Sequence, residues 1–341
     1  MNPLQQAIRR LADGESLSSA EAADAFDIVM AGDATAVQVA ALLTALRVKG
    51  ETAHEIAGAA RALRRAMRAV TLETVEQVVD TCGTGGGAVG TLNVSTGAAF
   101  IVAGAGVPVA KHGNRSFTSR SGSADVLEAL GVRIELEPRE VPRVLDEAGL
   151  AFLFAPGVHP AMRHAAPVRR ELAMTTIMNL LGPLANPAGV VRQVLGVADR
   201  RRAPLLAEAL RLLGCRHALV VHADVGMDEV SPVGCTHVWE VTSAGVSDWR
   251  LDPRELGVTG GGLEALAGGE PEENAARLAA ILSGDERGAA CDAVLLNAAA
   301  GLYVSGRGWS LPESMEEARR SLASGAARQS LDRLRRAAPR S

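Results

Sequence analysis

Asp228 and Glu229 are adjacent acids that follow an apolar run ending at Val221 and a turn at Gly226. Two carboxylates so placed can hold Mg²⁺ through oxygen ligands and waters, although surface charge is the commoner fate of an acidic pair. Other residues suit an anion. The β-branched run 75–79 leads into Thr81-Cys82-Gly83-Thr84-Gly85-Gly86-Gly87. Glycines between a strand and a helix turn several backbone N–H groups toward one phosphate, with no Cβ to hold it off. An ordinary tight turn uses the same glycines. The stretch is neither a Walker A loop, which continues with a Lys and a hydroxyl residue, nor a dinucleotide-binding glycine turn with its later acid. Asn93-Val94-Ser95-Thr96 then sets an amide and two hydroxyls where the next helix is expected to start, and where free N–H groups and the helix dipole favour an anion. Capping accounts for one of these polar side chains; a ligand would account for the rest.

Lys111-His112-Gly113-Asn114-Arg115-Ser116 gathers two cations, an amide and a hydroxyl on one short segment, and continues as Phe117-Thr118-Ser119-Arg120-Ser121-Gly122-Ser123. That density of donors fits phosphate recognition, with a solvated basic turn as the alternative. His112 alone carries little, since most histidines are structural. Arg169-Arg170 follow His159-Pro160-Ala161-Met162 by a few residues. A guanidinium there can grip a carboxylate through two parallel hydrogen bonds or sit in a helix-surface ion pair. These segments contain no arrangement resembling a nucleophile–base triad.

The elements that must position these groups change character near residue 70. Over residues 3–70 the spacing of Leu4, Ile8 and Leu11 predicts helix, and Ser18 with Glu21 and Thr52 with Glu55 fit capping boxes. Beyond it, strand candidates at 107–110, 152–155, 194–197 and 218–221 alternate with helical patterns such as 124–130 and 205–213, which argues for an α/β sheet with helices packed on it. The Pro-, Asn- and Gly-rich segment 178–189 interrupts this alternation. The expected organisation is a helical domain over 1–70, an α/β domain over 71–335 and a loose tail over 336–341.

Hydrophobic residues make up 48% of the chain and charged residues 22%, the balance of a globular protein rather than a disordered one. A net charge of −4 leaves no broad footprint for nucleic acid or an anionic membrane, so small partners are expected. Cys82, Cys215, Cys235 and Cys291 are dispersed, which suits a reducing cytoplasm and neither a disulfide framework nor a zinc site. The start of the sequence lacks the apolar core of a secretory signal. The uncharged stretch 82–110 is long enough to span a membrane, but its Gly, Ser, Thr, Asn and Pro content predicts a buried loop and helix.

Taken in order, Gly83-Thr84-Gly85-Gly86, Asn93-Val94-Ser95-Thr96, the Lys-His-Gly-Asn-Arg-Ser run at 111–116, His159-Pro160-Ala161-Met162, the Asn-Leu-Leu-Gly-Pro-Leu-Ala-Asn-Pro run at 179–187 and Asp228-Glu229 resemble the anthranilate phosphoribosyltransferases over nearly the whole chain. The resemblance implies transfer of the phosphoribosyl group of 5-phosphoribosyl 1-diphosphate to the amine of anthranilate, in tryptophan biosynthesis. It implies a small helical domain, joined by part of 160–192 and hinged to a larger α/β domain with a central sheet, in a cytoplasmic homodimer formed through the helical part. Carried over, the diphosphate site comprises Gly83, Gly86, Gly87, Thr91, Asn93, Val94, Ser95, Thr96, Lys111, His112, Gly113, Asn114, Arg115, Ser116, Phe117, Thr118, Ser119 and Ser123. Ser95, Asp228 and Glu229 would hold Mg²⁺, two ions per monomer. Gly83, Asn114 and Arg169 would meet anthranilate, with His112, His159, Gly182 and Pro183 lining its approach. Gly87 and Leu92 depart from the pattern, which usually has an acid and an aromatic residue there. A pyrimidine nucleoside phosphorylase and a non-catalytic, nucleic-acid-binding relative are the alternatives; the loop around Lys111 argues against the first, and the net charge and the Asp228-Glu229 pair against the second.

Overall fold

The computed structural model describes residues 1–116 and 120–340. Four capped helices open the chain: α1 (Pro3–Ala12), α2 (Ser19–Ala31), α3 (Ala36–Lys49) and α4 (Ala53–Ala66). Asn2 with Gln5, Ser18 with Glu21, Thr35 with Gln38 and Thr52 with Glu55 form reciprocal capping boxes, so each helix starts where the sequence offers its free N–H groups a partner. At Gly58 on α4 a Cβ would lie 2.4 Å from Ser19 O, so the glycine is what lets α4 rest directly on α2.

Seven strands follow: β1 (Val79–Gly83), β2 (Val109–Gly113), β3 (Leu150–Phe154), β4 (Arg192–Gly196), β5 (His217–Ala223), β6 (Thr236–Thr242) and β7 (Gly245–Leu251). They form one sheet in the order β3-β2-β1-β4-β5-β6-β7, parallel from β3 to β5 and antiparallel from β5 to β7. The 75–79 run joins it only at Val79, which is in register with Val109 and Arg192. Residues 75–78 instead close a turn, with Val78 N–H donating to Val75 O. The antiparallel hairpin of β6 and β7 adds two strands beyond those the sequence pattern predicts.

The remaining helices are α5 (Val94–Gly104), α6 (Ser123–Ala129), α7 (Val141–Ala148), α8 (Ala155–Val158), α9 (Ala166–Leu172), α10 (Met178–Leu181), α11 (Ala203–Leu212), α12 (Pro271–Ser283), α13 (Ala289–Val304), α14 (Leu311–Ala323) and α15 (Ala326–Ala337). Because side chains alternate along a strand, the sheet feeds two cores. Val79, Val109 and Val194 pack with α5 and α13, whereas Leu195, Ala218 and Val220 pack with α11 and the opening helices. Residues 161–185 contribute to the second core as well.

The 336–340 segment, expected to be loose, is tied down. Ala338 is fully buried and accepts Arg133 N–H at 2.9 Å, Pro339 bridges to Val132, and Arg340 donates to Glu128 O at 2.8 Å. Apolar residues of α15 reach the core under α5 and α7, and they carry the segment with them. The uncharged 82–110 stretch is the end of β1, a loop, α5 and the start of β2; no helix among the described residues is long and apolar enough to cross a membrane.

Candidate active site

β1, β2, β4 and β5 run parallel and deliver their C-terminal ends to one edge, where crevices form outside a parallel sheet. The loop after β1 begins with left-handed residues at Gly85 (φ 67°) and Gly86 (φ 80°). Its glycines make room for one carboxylate: a Cβ on Gly83 would lie 3.2 Å from Asp228 Oδ2, and one on Gly87 2.7 Å from Asp228 Oδ1. Behind them a Cβ on Gly196, at the end of β4, would lie 1.8 Å from Asp228 O. Glu229 Oε1 accepts the Thr91 hydroxyl at 3.1 Å, and its Oε2 is buried without a partner. Burial raises the Asp228 carboxyl above its usual pKa; burial, then the neighbouring Asp228 charge, raises that of Glu229 well above. Ser95, at the start of α5, lines the same cavity of about 10 Å³ with Asp228 and Glu229, so the three expected cation ligands are brought together. Among the described residues no group of three or more His, Cys, Asp and Glu side chains could hold a metal. The Ser95 hydroxyl and the two carboxylates are all oxygen donors, the kind of ligand Mg²⁺ takes alongside waters and phosphate oxygens.

Lys111 lies inside the wall rather than on its surface. It is 2% exposed, and its Nζ donates to Thr81 O and, at 3.2 Å, to Ser95 Oγ. Burial lowers its pKa while Asp80 pulls it back up, so the ammonium steadies the end of β1 and the Ser95 hydroxyl from below. Asn93 does not cap α5 with its side chain: Nδ2 donates to Ser121 O at 3.1 Å, and Oδ1 accepts from Ser121 Oγ at 3.2 Å and Asn274 Nδ2 at 3.0 Å. Val94 is fully buried and Thr96 is 1% exposed with an unpartnered hydroxyl, so Val94 has only backbone to offer a ligand.

At the end of β2, Gly113 admits α6, since a Cβ there would lie 2.2 Å from Ser123 Oγ. Ser123 Oγ and Ala124 N–H donate to Asn114 O at 3.3 and 3.2 Å. Asp125 accepts Ser116 N–H at 3.0 Å and Gly122 N–H at 2.9 Å, bringing these two residues to the start of α6. Arg115, expected at the diphosphate, pairs with Asp125 at 3.0 Å and with Glu128 and lies over the Phe154 ring. Phe117, Thr118 and Ser119 fall outside the described residues.

His112, His159 and Gly182 meet on the other side of β2. His112 Nδ1 donates to Gly182 O at 3.1 Å, its ring meets His159 edge to face at 5.0 Å, and Gln193 Nε2 donates to Pro183 O at 3.0 Å. His112 Nε2 and both His159 ring nitrogens are buried without a hydrogen-bond partner. Burial, followed by the His159 ring, lowers His112 to about 3, and burial lowers His159 to about 4, so both rings are neutral at pH 7. Arg169 sits on α9, which packs against α3. It is half-buried, burial lowers its pKa, and among the described residues its guanidinium has neither an ion pair nor a hydrogen bond. That removes the helix-surface ion pair as its explanation. Sequence reasoning missed Asp80 and Gln193 and gave Asn186 no role; an acid embedded in an apolar strand was the available signal for the first.

Residues 5–67 match the helical bundle domain, and residues 75–328 the a/b domain, of a glycosyl transferase family. The anthranilate phosphoribosyltransferase of Rubrobacter xylanophilus is 52% identical over 99% of this chain and 98% of its own. That of Thermomicrobium roseum is 51% identical over 96% and 95%. The crystal structure of anthranilate phosphoribosyltransferase from Thermus thermophilus superposes with a TM-score of 0.91 at 47% identity, covering 98% of each chain. The Saccharomyces cerevisiae enzyme in complex with PRPP and Mg gives 0.89 at 32%, covering 98% of this chain and 97% of that one. With an acid pair, a hydroxyl and a glycine loop at the strand ends, and with relatives alike over their full length, this chain belongs to the anthranilate phosphoribosyltransferase family.

Proposed function

We propose that the family's reaction, transfer of a phosphoribosyl group from its diphosphate to the amine of anthranilate, is carried in this chain by Ser95, Asp228 and Glu229 on one side and Arg169 with Asn114 on the other. The observation that carries it is the unpartnered, buried Glu229 Oε2 beside Asp228 in the cavity shared with Ser95. The buried Lys111 ammonium offsets only part of the charge of two adjacent carboxylates in so enclosed a place, and a divalent cation would balance the rest. The yeast complex with PRPP and Mg supports Mg²⁺ as that cation here. Bound on these oxygens, it would stabilise the charge that develops on the departing diphosphate.

The glycine loop 83–87, with the start of α5, offers backbone N–H groups to the same diphosphate. Lys111 holds Ser95 in place from below. Arg169 and Asn114 orient the aromatic acid, and orientation suffices because the neutral amine is already a nucleophile. The neutral rings of His112 and His159 line its approach without adding charge. No residue needs to form a covalent bond to the sugar. The full-length relatives favour this reading over phosphorolysis of pyrimidine nucleosides and over nucleic-acid binding. Anthranilate fluorescence is expected to fall when protein, phosphoribosyl diphosphate and Mg²⁺ are all present, and to persist when any one is left out. Persistence with folded protein and all three components refutes the reading, and calorimetric titration of Mg²⁺ into the diphosphate complex counts the ions, for which we propose two.

We further propose a cytoplasmic homodimer, with residues 1–70 and part of 160–192 hinged to 71–335. The cysteines among the described residues are free thiols, which suits a reducing compartment. Val37 and Val48 stand 79% and 81% exposed on α3, with Ala41 and Thr44 between them at helical spacing, a stripe that a second copy would cover. Val48→Glu is expected to weaken association roughly tenfold or more, since an unpaired carboxylate is costly to bury. Sedimentation velocity checks this; an unchanged oligomer moves the contact elsewhere.

A further inference from the structure

Asp80, the second residue of β1, is fully buried where an ionised carboxyl is costly, and no step of the transfer described above uses it. Its Oδ1 accepts the backbone N–H of His112 on β2 at 3.2 Å, and its Oδ2 accepts Asn186 Nδ2–H at 2.8 Å. Asn186 is 4% exposed; it also donates to Ala110 O at 2.8 Å and accepts Ala188 N–H at 2.9 Å. Burial raises the Asp80 carboxyl above its usual pKa, while the Lys111 charge and these donors pull it back. Beside Asp80 in the sheet, Gln193 on β4 donates to Pro183 O at 3.0 Å and to Cys82 Sγ at 3.2 Å.

Alternation along β1 gives this arrangement its meaning. Asp80, Cys82, His112 and Gln193 share the face that meets residues 182–188, whereas Thr81 and Lys111 share the opposite face, beneath Ser95. One step along β1 thus separates the groups that support the cation ligands from those that support the segment carrying Gly182 and Pro183. That segment has little internal structure to fix it: the 3₁₀ turn Gly182–Leu184 is 3 residues long and follows the 4-residue α10. Side chains from the sheet hold it on one side, while Arg64 of α4 donates to Leu184 O at 2.7 Å and Val70 N–H to Pro187 O at 2.9 Å.

We propose that Asp80 is a positioning residue, one that locks the 182–188 segment in register with the ends of β1 and β2 so that the aromatic acid is held at the right height above the phosphoribosyl group. The proposal rests on the site reading given above. A carboxylate fits the task because it offers acceptors to two donors from different elements through charge-assisted bonds. An amide offers a single acceptor oxygen, and an apolar residue leaves both donors unpaired.

The test is a reciprocal pair of substitutions, Asp80→Asn and Asn186→Asp, made singly and together. Each single change is expected to raise the KM for anthranilate about tenfold, while the dissociation constant of phosphoribosyl diphosphate with Mg²⁺, read by calorimetry, stays within about twofold. The double variant is expected to regain part of the loss. The amide introduced at 80 accepts from His112 N–H and donates to the carboxylate introduced at 186, which still accepts from Ala188 N–H but leaves Ala110 O without its donor. The proposal is overturned if folded single variants keep an ordinary KM for anthranilate, if both substrates weaken equally, or if the double variant loses as much as the two singles combined. Should a single variant fail to fold, Asp80→Glu decides: a longer carboxylate that displaces the 182–188 segment is expected to raise the anthranilate KM while phosphoribosyl diphosphate binding holds, and an ordinary anthranilate KM in that folded variant overturns the lock. A parent chain that does not consume anthranilate refutes the reading of the site instead, and that is seen before any variant is made.

Discussion

Replacing Asp228 and Glu229 together by Ala is expected to leave a folded protein whose turnover has fallen by about two to three decades, the usual cost of losing a group that stabilises charge developing in the transition state. On the proposed reading both carboxylates act through Mg²⁺ on the same departing diphosphate, so the double variant should cost little more than the worse single one. Stability separates this from structural damage. Both carboxyls are held above their ordinary pKa in the fold, so the unfolded chain gives up its protons first as pH rises. Stability they contribute when protonated is therefore lost upward from the unfolded pKa, near 4, and at pH 7 without metal the pair is a burden. Without Mg²⁺ the double variant should melt at or above the parent, and added Mg²⁺ with phosphoribosyl diphosphate should raise the melting temperature of the parent alone. Near-normal turnover with an unchanged Mg²⁺ requirement would return the pair to surface charge.

Arg169→Ala is expected to cost about 1.5–3 kcal/mol in specificity toward anthranilate, roughly one to two decades, with Arg169→Lys recovering part of it because charge survives without the two-pronged geometry. Affinity for phosphoribosyl diphosphate should hardly change, since its proposed site is built from residues 83–123 and the acid pair. The absence of any ion pair at this guanidinium among the described residues makes a large loss of stability unexpected. Steady-state kinetics with each substrate varied, together with a melting curve, check this. Constant anthranilate parameters, or equal damage to both substrates with a large drop in melting temperature, would make Arg169 structural.

What the sequence made legible follows the range of the interactions involved. Capping boxes at Ser18 and Thr52 close within three residues and are found where the spacing places them. The glycine loop and the Asp228-Glu229 pair are recognisable because each is contiguous. β1 starts four residues later than its β-branched run, because pairing with Val109 and Arg192 outweighs local preference. For Arg115 the run announced a cation but not its partners, Asp125 and Glu128 on the helix that follows. Asp80 shows locally only as an acid in an apolar strand, because the partners that make it useful lie 32 and 106 residues away. Lys111 was recognised as a donor, but only the structure turns it inward, toward Thr81 and Ser95.

The glycines around Asp228 differ in how freely they can drift. Every coding change at a glycine adds a Cβ, and at Gly196 that atom would strike the Asp228 backbone, so neither neighbour can yield without moving β4. At Gly87 the added atom meets only the tip of the Asp228 side chain, which can rotate away. Two positions that touch the same residue therefore have opposite genetic freedom. Position 196 is closed to nearly all single mutations, whereas 87 is a place where lineages can exchange one residue for another and retune how the neighbouring carboxylate is held.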